Sequence, residues 1–437
     1  MDVSWLPIAL IICATFGAAW VGRLLCNRWF NPLSLYSGLW GFCLCSYELR
    51  LIQYEPVSNT AWVYILIAWI FLYLGGMTAW LAGHAKDQSP ELSIDLIRLK
   101  KAIIWLSIIA GVGLVDQIRV VAHTFGNPLY AIFINAGDIY LGRVGGSLSW
   151  VPYVGAISYA ACCLSGAYTA KIGKPTLVGA LPIILVALSN VFAMVRAGVV
   201  MAAFLFLVSF SYSPRQNSFK LERWQRFFGM SVAVIILVGG FVFVSATRKL
   251  GVQFAGMTPA IDSVSEYIPV FPSIYSNFSA PPVAFSMYLD SPAETRENSP
   301  WGQYTFAPIS HLFSKLGFST EAGGEGRFEE NYYTPVPMNT ATYLKNVISD
   351  FGFSGAFIFP FFLGAVVTYL VLKLASHPRL FHLMLLSNLF LVIAFSFVVN
   401  LMALGDWYIS AAVSVLVALL VQPRSEHAVS RIQTVAF

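Results

Sequence analysis

Eleven long apolar stretches divide this chain, and they restrict its fold more than any other feature. Each is about 20 residues long, the length that an α-helix needs to cross the roughly 30 Å hydrocarbon core of a bilayer. None shows the period-two alternation of a membrane β-barrel, so the backbone must satisfy its polar groups within helices. The sequence therefore predicts an all-α, polytopic integral membrane protein with about 11 transmembrane helices (10–12), near residues 4–25, 33–52, 61–82, 102–121, 148–170, 176–194, 197–213, 227–247, 352–373, 381–402 and 405–422.

Composition excludes a soluble enzyme. The 437 residues are 57% hydrophobic and only 11% charged, whereas soluble domains carry about 25% charged residues. The net charge of +5 follows from membrane topology and does not indicate a nucleic-acid partner. All six cysteines fall within apolar stretches, so we expect neither a disulfide framework nor a metal site.

The basic residues alternate from one connection to the next, and this pattern predicts the sidedness. Connections one, three, five, seven and nine and the C-terminal tail carry lysines and arginines, which mark cytoplasmic loops. The C-terminus is therefore expected in the cytoplasm, and the N-terminus, residues 122–147, Arg196 and residues 248–350 on the other side.

This topology divides the chain into three parts. Residues 1–247 hold helices 1–8 and a smaller connection at 122–147, residues 248–350 form one large loop, and residues 351–437 hold helices 9–11 and the tail. The loop collects prolines, aromatic residues and carboxylates. Loops of more than about 15 residues in compact proteins are functional or disordered, and this composition favours function.

Several arginines are predicted on the side of the large loop, although arginines usually lie on the cytoplasmic side of a membrane protein. Arg196 is the sharpest case because it is the single charge in an apolar helical hairpin at residues 194–198. A planar guanidinium suits phosphate or pyrophosphate, and the alternative is an interfacial anchor. Arg143, Arg248 and Arg327 are weaker candidates for the same substrate-binding role.

Three residues are candidates for proton transfer, each with a structural alternative. Asp350 precedes the ninth apolar stretch and is either a general base or a helix N-cap. His311 is either a base or a packed side chain, and Glu329 is either catalytic or a solvated loop charge.

Aromatic residues fill the large loop, among them Trp301, Tyr304 and Tyr343. Aromatic rings beside polar groups suit the faces of sugars, and the alternative is an aromatic belt at the membrane interface. The sequence contains no nucleotide-binding or metalloprotease motif and no repeated halves typical of secondary transporters. Any group transfer on the outer side must then start from an already activated substrate, with no cofactor.

The whole chain resembles the oligosaccharide repeat-unit polymerases, the Wzy-type O-antigen polymerases of bacterial inner membranes. The resemblance is carried by Asn31 and Pro32, by the Arg196 turn, by the segment 301–309 (WGQYTFAPI) and by the segment 350–355 (DFGFSG). The family has more spans, with both termini in the cytoplasm, and the predicted outer N-terminus departs from that pattern.

The resemblance implies a metal-independent glycosyltransferase of lipopolysaccharide biosynthesis, a multi-pass protein of the inner membrane whose large loop is periplasmic. It would move a growing glycan from undecaprenyl pyrophosphate to the non-reducing end of a lipid-linked repeat unit. In this interpretation Arg196, Arg143 and Arg248 hold pyrophosphate, Asp350 or His311 activates the acceptor hydroxyl, and the loop aromatics hold sugars. The implied partners are lipid-linked repeat units, membrane lipid, and a chain-length regulator and flippase of the same pathway. Three alternatives stay open: a flippase or other transporter of lipid-linked oligosaccharide, an O-antigen ligase, and a non-catalytic assembly scaffold.

Overall fold

The computed structural model describes residues 5–83, 92, 94–151, 153–213, 256–291, 302–317, 332–334, 337–338 and 340–422. Within these ranges the protein is helical, apart from one pairing of two-residue strands, β1 (Tyr332–Tyr333) and β2 (Pro337–Met338). The long helices are α1 (Trp5–Cys26), α2 (Pro32–Glu48), α3 (Asn59–Ala82), α4 (Leu96–Phe125), α7 (Val154–Ile172), α8 (Leu177–Phe192), α9 (Ala197–Tyr212), α14 (Leu344–Ser376), α15 (Leu380–Phe395) and α16 (Gly405–Val421). The short ones are α5 (Pro128–Ile134), α6 (Ala136–Val144), α10 (Pro259–Tyr267), α11 (Phe271–Ser279), α12 (Pro281–Asp290) and α13 (Ala307–Lys315), with a 3-10 turn at Leu401–Ala403.

Ten of the eleven predicted apolar stretches are helices, and the other one, 227–247, lies outside the described residues. Within the described ranges, four helices are long and apolar enough to cross a membrane: α1, α3, α4 and α14. Helices α8, α9, α15 and α16 are also apolar but only 16 or 17 residues long. These helices indicate a membrane protein.

Local sequence explains where several helices begin. The Asn31 side chain accepts a hydrogen bond from the backbone N–H of Ser34 at 2.9 Å, and Pro32 occupies the first position of α2. Ser58 and Asp95 cap α3 and α4 in the same way. Each cap satisfies backbone donors that a helix start leaves unpaired, and proline suits the first turn because it lacks an N–H. The Asn31–Pro32 pair therefore has a structural function.

The tightest packing in the described bundle is between α3 and α14, which run parallel to each other. Leu72 lies beside Gly364, and further along both helices Gly76 lies beside Thr368. A Cβ on Gly75 would overlap the carbonyl oxygen of Phe361, and one on Gly364 would overlap that of Leu72. Small residues let helix backbones approach this closely, as is typical of helix pairs in membranes.

Helices α7 and α9 form a second parallel pair. Both begin at the end of the bundle at which α3 and α14 begin. Gly198 at the start of α9 lies against Tyr159 near the start of α7, and Gly166 lies against Phe206 further on. The charge of Asp406, in the first turn of α16, also acts on Tyr159. We call the end at which α3, α7, α9, α14 and α16 begin the loop end.

Part of the region predicted as a large loop is a compact helical layer on the loop end. Helices α10–α12 pack over the connection between α2 and α3, and Ile52 and Met257 form an antiparallel bridge. The hydroxyls of Tyr54 and Ser279 lie 2.7 Å apart, and the backbone N–H of Ser58 donates to the Ser286 hydroxyl at 2.8 Å. Residues 256–291 are therefore fixed to the membrane helices.

Helix α14 contains a kink at Gly352, which separates a first segment that carries Asp350 from the long apolar segment. Gly352 has φ +58° and ψ −150°, a conformation outside the helical region. Only glycine adopts it at low cost, because it has no Cβ. The kink sets the angle at which Asp350 faces the neighbouring loop.

Candidate functional site

Two polar clusters lie at the loop end. The first, which we call the arginine cluster, consists of Tyr140, Arg143, Tyr159, Arg196 and Asp406. The Arg143 guanidinium carbon lies 5.6 Å from the centre of the Tyr140 ring, at cation–π distance. Tyr140 also interacts electrostatically with Arg196, and Arg143 and Asp406 both act on Tyr159. The fold thus brings together two arginines that are far apart in the sequence.

The backbone at Arg196 is held in an unusual conformation. Met194 has φ +52°, in the left-handed region, which costs free energy for a residue with a side chain. The turn is nevertheless closed, because the N–H of Val195 donates to the carbonyl oxygen of Asn190 at 2.9 Å. The sharp reversal places Arg196 directly before α9, where Gly198 leaves room for Asn190 and Tyr159.

The Arg196 side chain is directed into the protein. Its Nη1 donates to the Ser273 hydroxyl of α11 at 3.2 Å. Burial lowers the pKa of the Arg196 guanidinium, and the nearby Tyr140 acts in the opposite direction. A half-buried guanidinium interacts more strongly with an anion than a solvated one does, because the local dielectric is lower. With two arginines and one carboxylate, Asp406, this cluster is suited to an anion.

The second cluster, which we call the clamped turn, consists of residues 302–306 and the three side chains that hold them. The carboxylate of Asp350 accepts the backbone N–H of Tyr304 at 3.0 Å and that of Thr305 at 2.5 Å. The side-chain amides of Asn346 and Asn400 donate to the carbonyl oxygens of Tyr304 and Thr305, at 3.3 and 3.2 Å. Two consecutive residues, Tyr304 and Thr305, are thereby fixed through both their backbone N–H and their C=O groups.

Glycine is required at the first position of the clamped turn. Gly302 has φ +80°, and a Cβ there would meet the Phe306 ring at 2.8 Å. The turn closes through a hydrogen bond from the Phe306 N–H to the Gly302 carbonyl oxygen at 2.8 Å.

One short segment, residues 400–406, connects the two clusters. Asn400 holds the clamped turn and also caps the 3-10 turn, because its side-chain oxygen accepts the N–H of Met402 at 3.1 Å. Asp406 of the arginine cluster follows in the first turn of α16. Any displacement of this segment would therefore change both clusters.

The other predicted site residues do not all lie in the two clusters. Tyr304 is partly exposed within the clamped turn, and His311 is partly exposed on α13, which packs against the 3-10 turn and α16. Tyr343 is only 1% exposed, and its ring packs with those of Trp40 and Phe359. That burial does not fit the predicted contact with sugars. Four predicted residues lie outside the described residues: Arg248, Trp301, Arg327 and Glu329.

Sequence reasoning missed several members of these clusters. Asn346 and Asn400 belong to no recognisable motif. Only their position beside the clamped turn shows that they hold its backbone. In the sequence, Asp406 is a single charge in an apolar stretch and Tyr140 is one of many aromatic residues, so neither indicates a site. Asn346 and Asp350 are four residues apart, which places them on one helix face, and this spacing was the available signal.

The described residues contain no group of three or more His, Cys, Asp or Glu side chains that could hold a metal ion. No protein-family model matches the chain, and no curated protein or solved structure is significantly similar to it. We therefore infer the function from the chemistry of the two clusters.

Proposed function

We propose that the protein is a membrane glycosyltransferase that polymerises lipid-linked oligosaccharide repeat units, as the O-antigen polymerases do. The observation that carries the proposal is the meeting of Arg143 and Arg196 beside Tyr140, in a cluster that residues 400–406 connect to the clamped turn. In the proposed reaction a sugar hydroxyl of the acceptor attacks the anomeric carbon of the donor glycan. The bond from that carbon to undecaprenyl pyrophosphate breaks, and the lipid pyrophosphate leaves.

The arginine cluster supplies the electrostatics that this reaction needs. Negative charge develops on the pyrophosphate oxygen as the glycosidic bond breaks. Donors that are already positioned at that oxygen stabilise the transition state without reorganising. Arg143 and Arg196 fit this role because each guanidinium can form two parallel hydrogen bonds with a phosphate.

The clamped turn supplies the acceptor side of the proposed site. Its rigid backbone fixes the Tyr304 ring, which is partly exposed and can pack against a sugar. Asp350 and His311 are the candidate bases. The Asp350 carboxylate is held by the backbone N–H groups of Tyr304 and Thr305, and the Gln303 backbone and the Thr305 hydroxyl also act on it.

The proposed membrane arrangement follows the charge pattern. About eleven spans place the loop end and residues 248–350 in the periplasm of a bacterial inner membrane, and the basic connections and the C-terminus in the cytoplasm. The parallel orientation of α3 with α14 supports this arrangement, since the predicted topology makes both helices run toward the cytoplasm.

The distribution of charge favours this proposal over a transporter of lipid-linked oligosaccharide. In the described residues the arginine cluster and the clamped turn both lie at the loop end, whereas a transporter places its substrate site near the bilayer midplane. A ligase would use the same donor and the same arginines, and it differs only in its acceptor.

The arginine cluster is tested by replacing Arg196 with Ala and with Lys in a strain that lacks the native gene. Arg196→Ala should abolish long surface polymer, and Arg196→Lys should restore it only in part, because an ammonium lacks the planar fork. The matched control is Arg119→Ala, because Arg119 is exposed and paired with Asp116 at 2.7 Å. Full-length polymer from Arg196→Ala would refute the assignment of this arginine.

A further inference from the structure

An apolar groove of about 350 Å³ lies along α14, beside the clamped turn. Among the described residues that line it, the one polar side chain is that of Ser354, whose hydroxyl donates to the carbonyl oxygen of Phe351 at 2.6 Å. The groove therefore presents an apolar surface that suits an apolar ligand. Its apolar walls include Phe306, Phe351, Ile358, Phe362, Val366 and Met402.

The groove opens on the outer face of a helix that is long and apolar enough to cross a membrane. Ile358, Phe362 and Val366 are 47, 61 and 43% exposed and follow one another at four-residue spacing. Such spacing forms one stripe along a helix. From Phe351 to Val366 the groove extends over about 20 Å at 1.5 Å per residue. In a bilayer this stripe faces hydrocarbon, so the chemistry of the groove selects a long apolar chain.

The end of the groove that is nearest to the loop end reaches the clamped turn. Phe306, the last residue of the clamped turn, lies at this end together with Phe351, which follows Asp350 directly. The 3-10 turn contributes Met402 to the wall, and Asn400 just before it holds Thr305. A lipid whose chain lies in the groove would have its polar head at the level of the clamped turn.

We propose that this groove binds the isoprenoid chain of one lipid-linked substrate and sets the position of its pyrophosphate at the loop end. The identity of the chain rests on the proposed function. Lipid tails are as apolar as the groove, so association depends on close van der Waals packing rather than on the hydrophobic effect. The groove therefore holds one chain in register with the site and does not trap it tightly.

The test uses the full-length protein in nanodiscs of phosphatidylethanolamine and phosphatidylglycerol. The probe is a polyprenyl phosphate with a photoreactive diazirine in its chain. After irradiation, mass spectrometry should locate the label on residues 351–366. Excess unlabelled polyprenyl phosphate should remove the label, and added phospholipid should not.

Variants that fill the groove make the test specific. Ile358→Trp and Val366→Trp should each reduce labelling by about tenfold, the loss expected when packing along the chain is removed. The matched controls are Ile70→Trp and Val63→Trp on α3, whose native side chains are 56 and 49% exposed. These controls should label like the native protein. Two independent groove variants keep the test decisive if one of them does not fold.

Labelling that is unchanged in the folded groove variants would overturn the proposal. Equal displacement by phospholipid would also overturn it and would show a groove for ordinary lipid. The measurement needs no glycosyl transfer. Specific labelling without polymerase activity would therefore reject the proposed function and keep the groove as a polyprenyl site. Polymerase activity without labelling would reject the groove as a polyprenyl site and keep the proposed function.

Discussion

The carboxylate of Asp350 holds the backbone of Tyr304 by a hydrogen bond of 3.0 Å across 46 positions of sequence. This contact joins the two segments, 301–309 and 350–355, that carry most of the resemblance to the repeat-unit polymerases. Asp350 therefore has a positioning function that does not depend on whether it also moves a proton.

Removing the Asp350 carboxylate should loosen the clamped turn. Asp350→Ala leaves two backbone N–H groups without their acceptor, and we expect the free energy of unfolding to fall by about 1–3 kcal/mol. Denaturation in mixed micelles measures this loss, and Asp262→Ala on the exposed face of α10 is the control. An additional Asn400→Ala change should cost less in this background than in the native protein, because both side chains hold the same turn. Strictly additive losses would show that they act independently.

The arginine cluster should bind inorganic pyrophosphate without any glycan. Arg143→Ala and Arg196→Ala should each weaken that binding about 10- to 100-fold, because charge-assisted hydrogen bonds contribute about 1.5–3 kcal/mol. Calorimetric titration of the purified protein measures the affinity. Arg119→Ala should bind like the native protein, and equal weakening in that variant would show a general effect of charge.

Three glycines should respond differently to alanine. Gly352→Ala should cost about 1–3 kcal/mol, because φ +58° with ψ −150° is a conformation that essentially only glycine adopts, although no atom lies within 4 Å of the new Cβ. Gly302→Ala should cost more, since its Cβ would also meet the Phe306 ring at 2.8 Å. Gly111→Ala lies within α4 with open space around it and should stabilise the protein by about 0.5–1 kcal/mol. Unfolding in mixed micelles should give this order, and a Gly302→Ala variant as stable as the native protein would contradict the geometry of the clamped turn.

The contact between α3 and α14 should tolerate no side chain at its closest point. Gly364→Ala should lower the free energy of unfolding by about 3 kcal/mol or more, because the new Cβ would overlap the backbone of Leu72. Gly38→Ala on α2 has open space around it and is the matched control. Similar stability of the two variants in mixed micelles would mean that the helices do not pack as described.

Much of the fold could be predicted from the sequence because lipid allows few solutions. Apolar stretches of about 20 residues must be helices, and ten of the eleven are helices in the described residues. Asp116 and Arg119 are three positions apart, the spacing of an ion pair on one helix face, and their side chains do pair at 2.7 Å. The spacing of Ile309, Leu312, Phe313 and Leu316 is helical and the chain there forms α13, although all four side chains are exposed.

The candidate site could be predicted only in part. Arg143, Arg196 and Asp350 stood out because charges are costly next to a membrane. Their neighbours did not, since Tyr140, Asn346 and Asn400 acquire their functions only through long-range contacts. Helices α10–α12, which pack over residues 51–58, could not be predicted either, because prolines break the periodic patterns from which long helices are predicted. The burial of Tyr343 depends on its contact with Trp40, about 300 positions earlier, which composition does not reveal.

We propose that this protein alone lengthens a glycan on a lipid carrier. The most direct test of this claim incubates the purified protein in nanodiscs with lipid-linked repeat units, isolated from a strain that lacks the gene, as the only substrates. We predict a ladder of lipid-linked products that increase by one repeat unit, present with Arg119→Ala and absent with Arg196→Ala. Repeat units that stay unextended, or a product that forms only when lipid A-core is added, would contradict the claim.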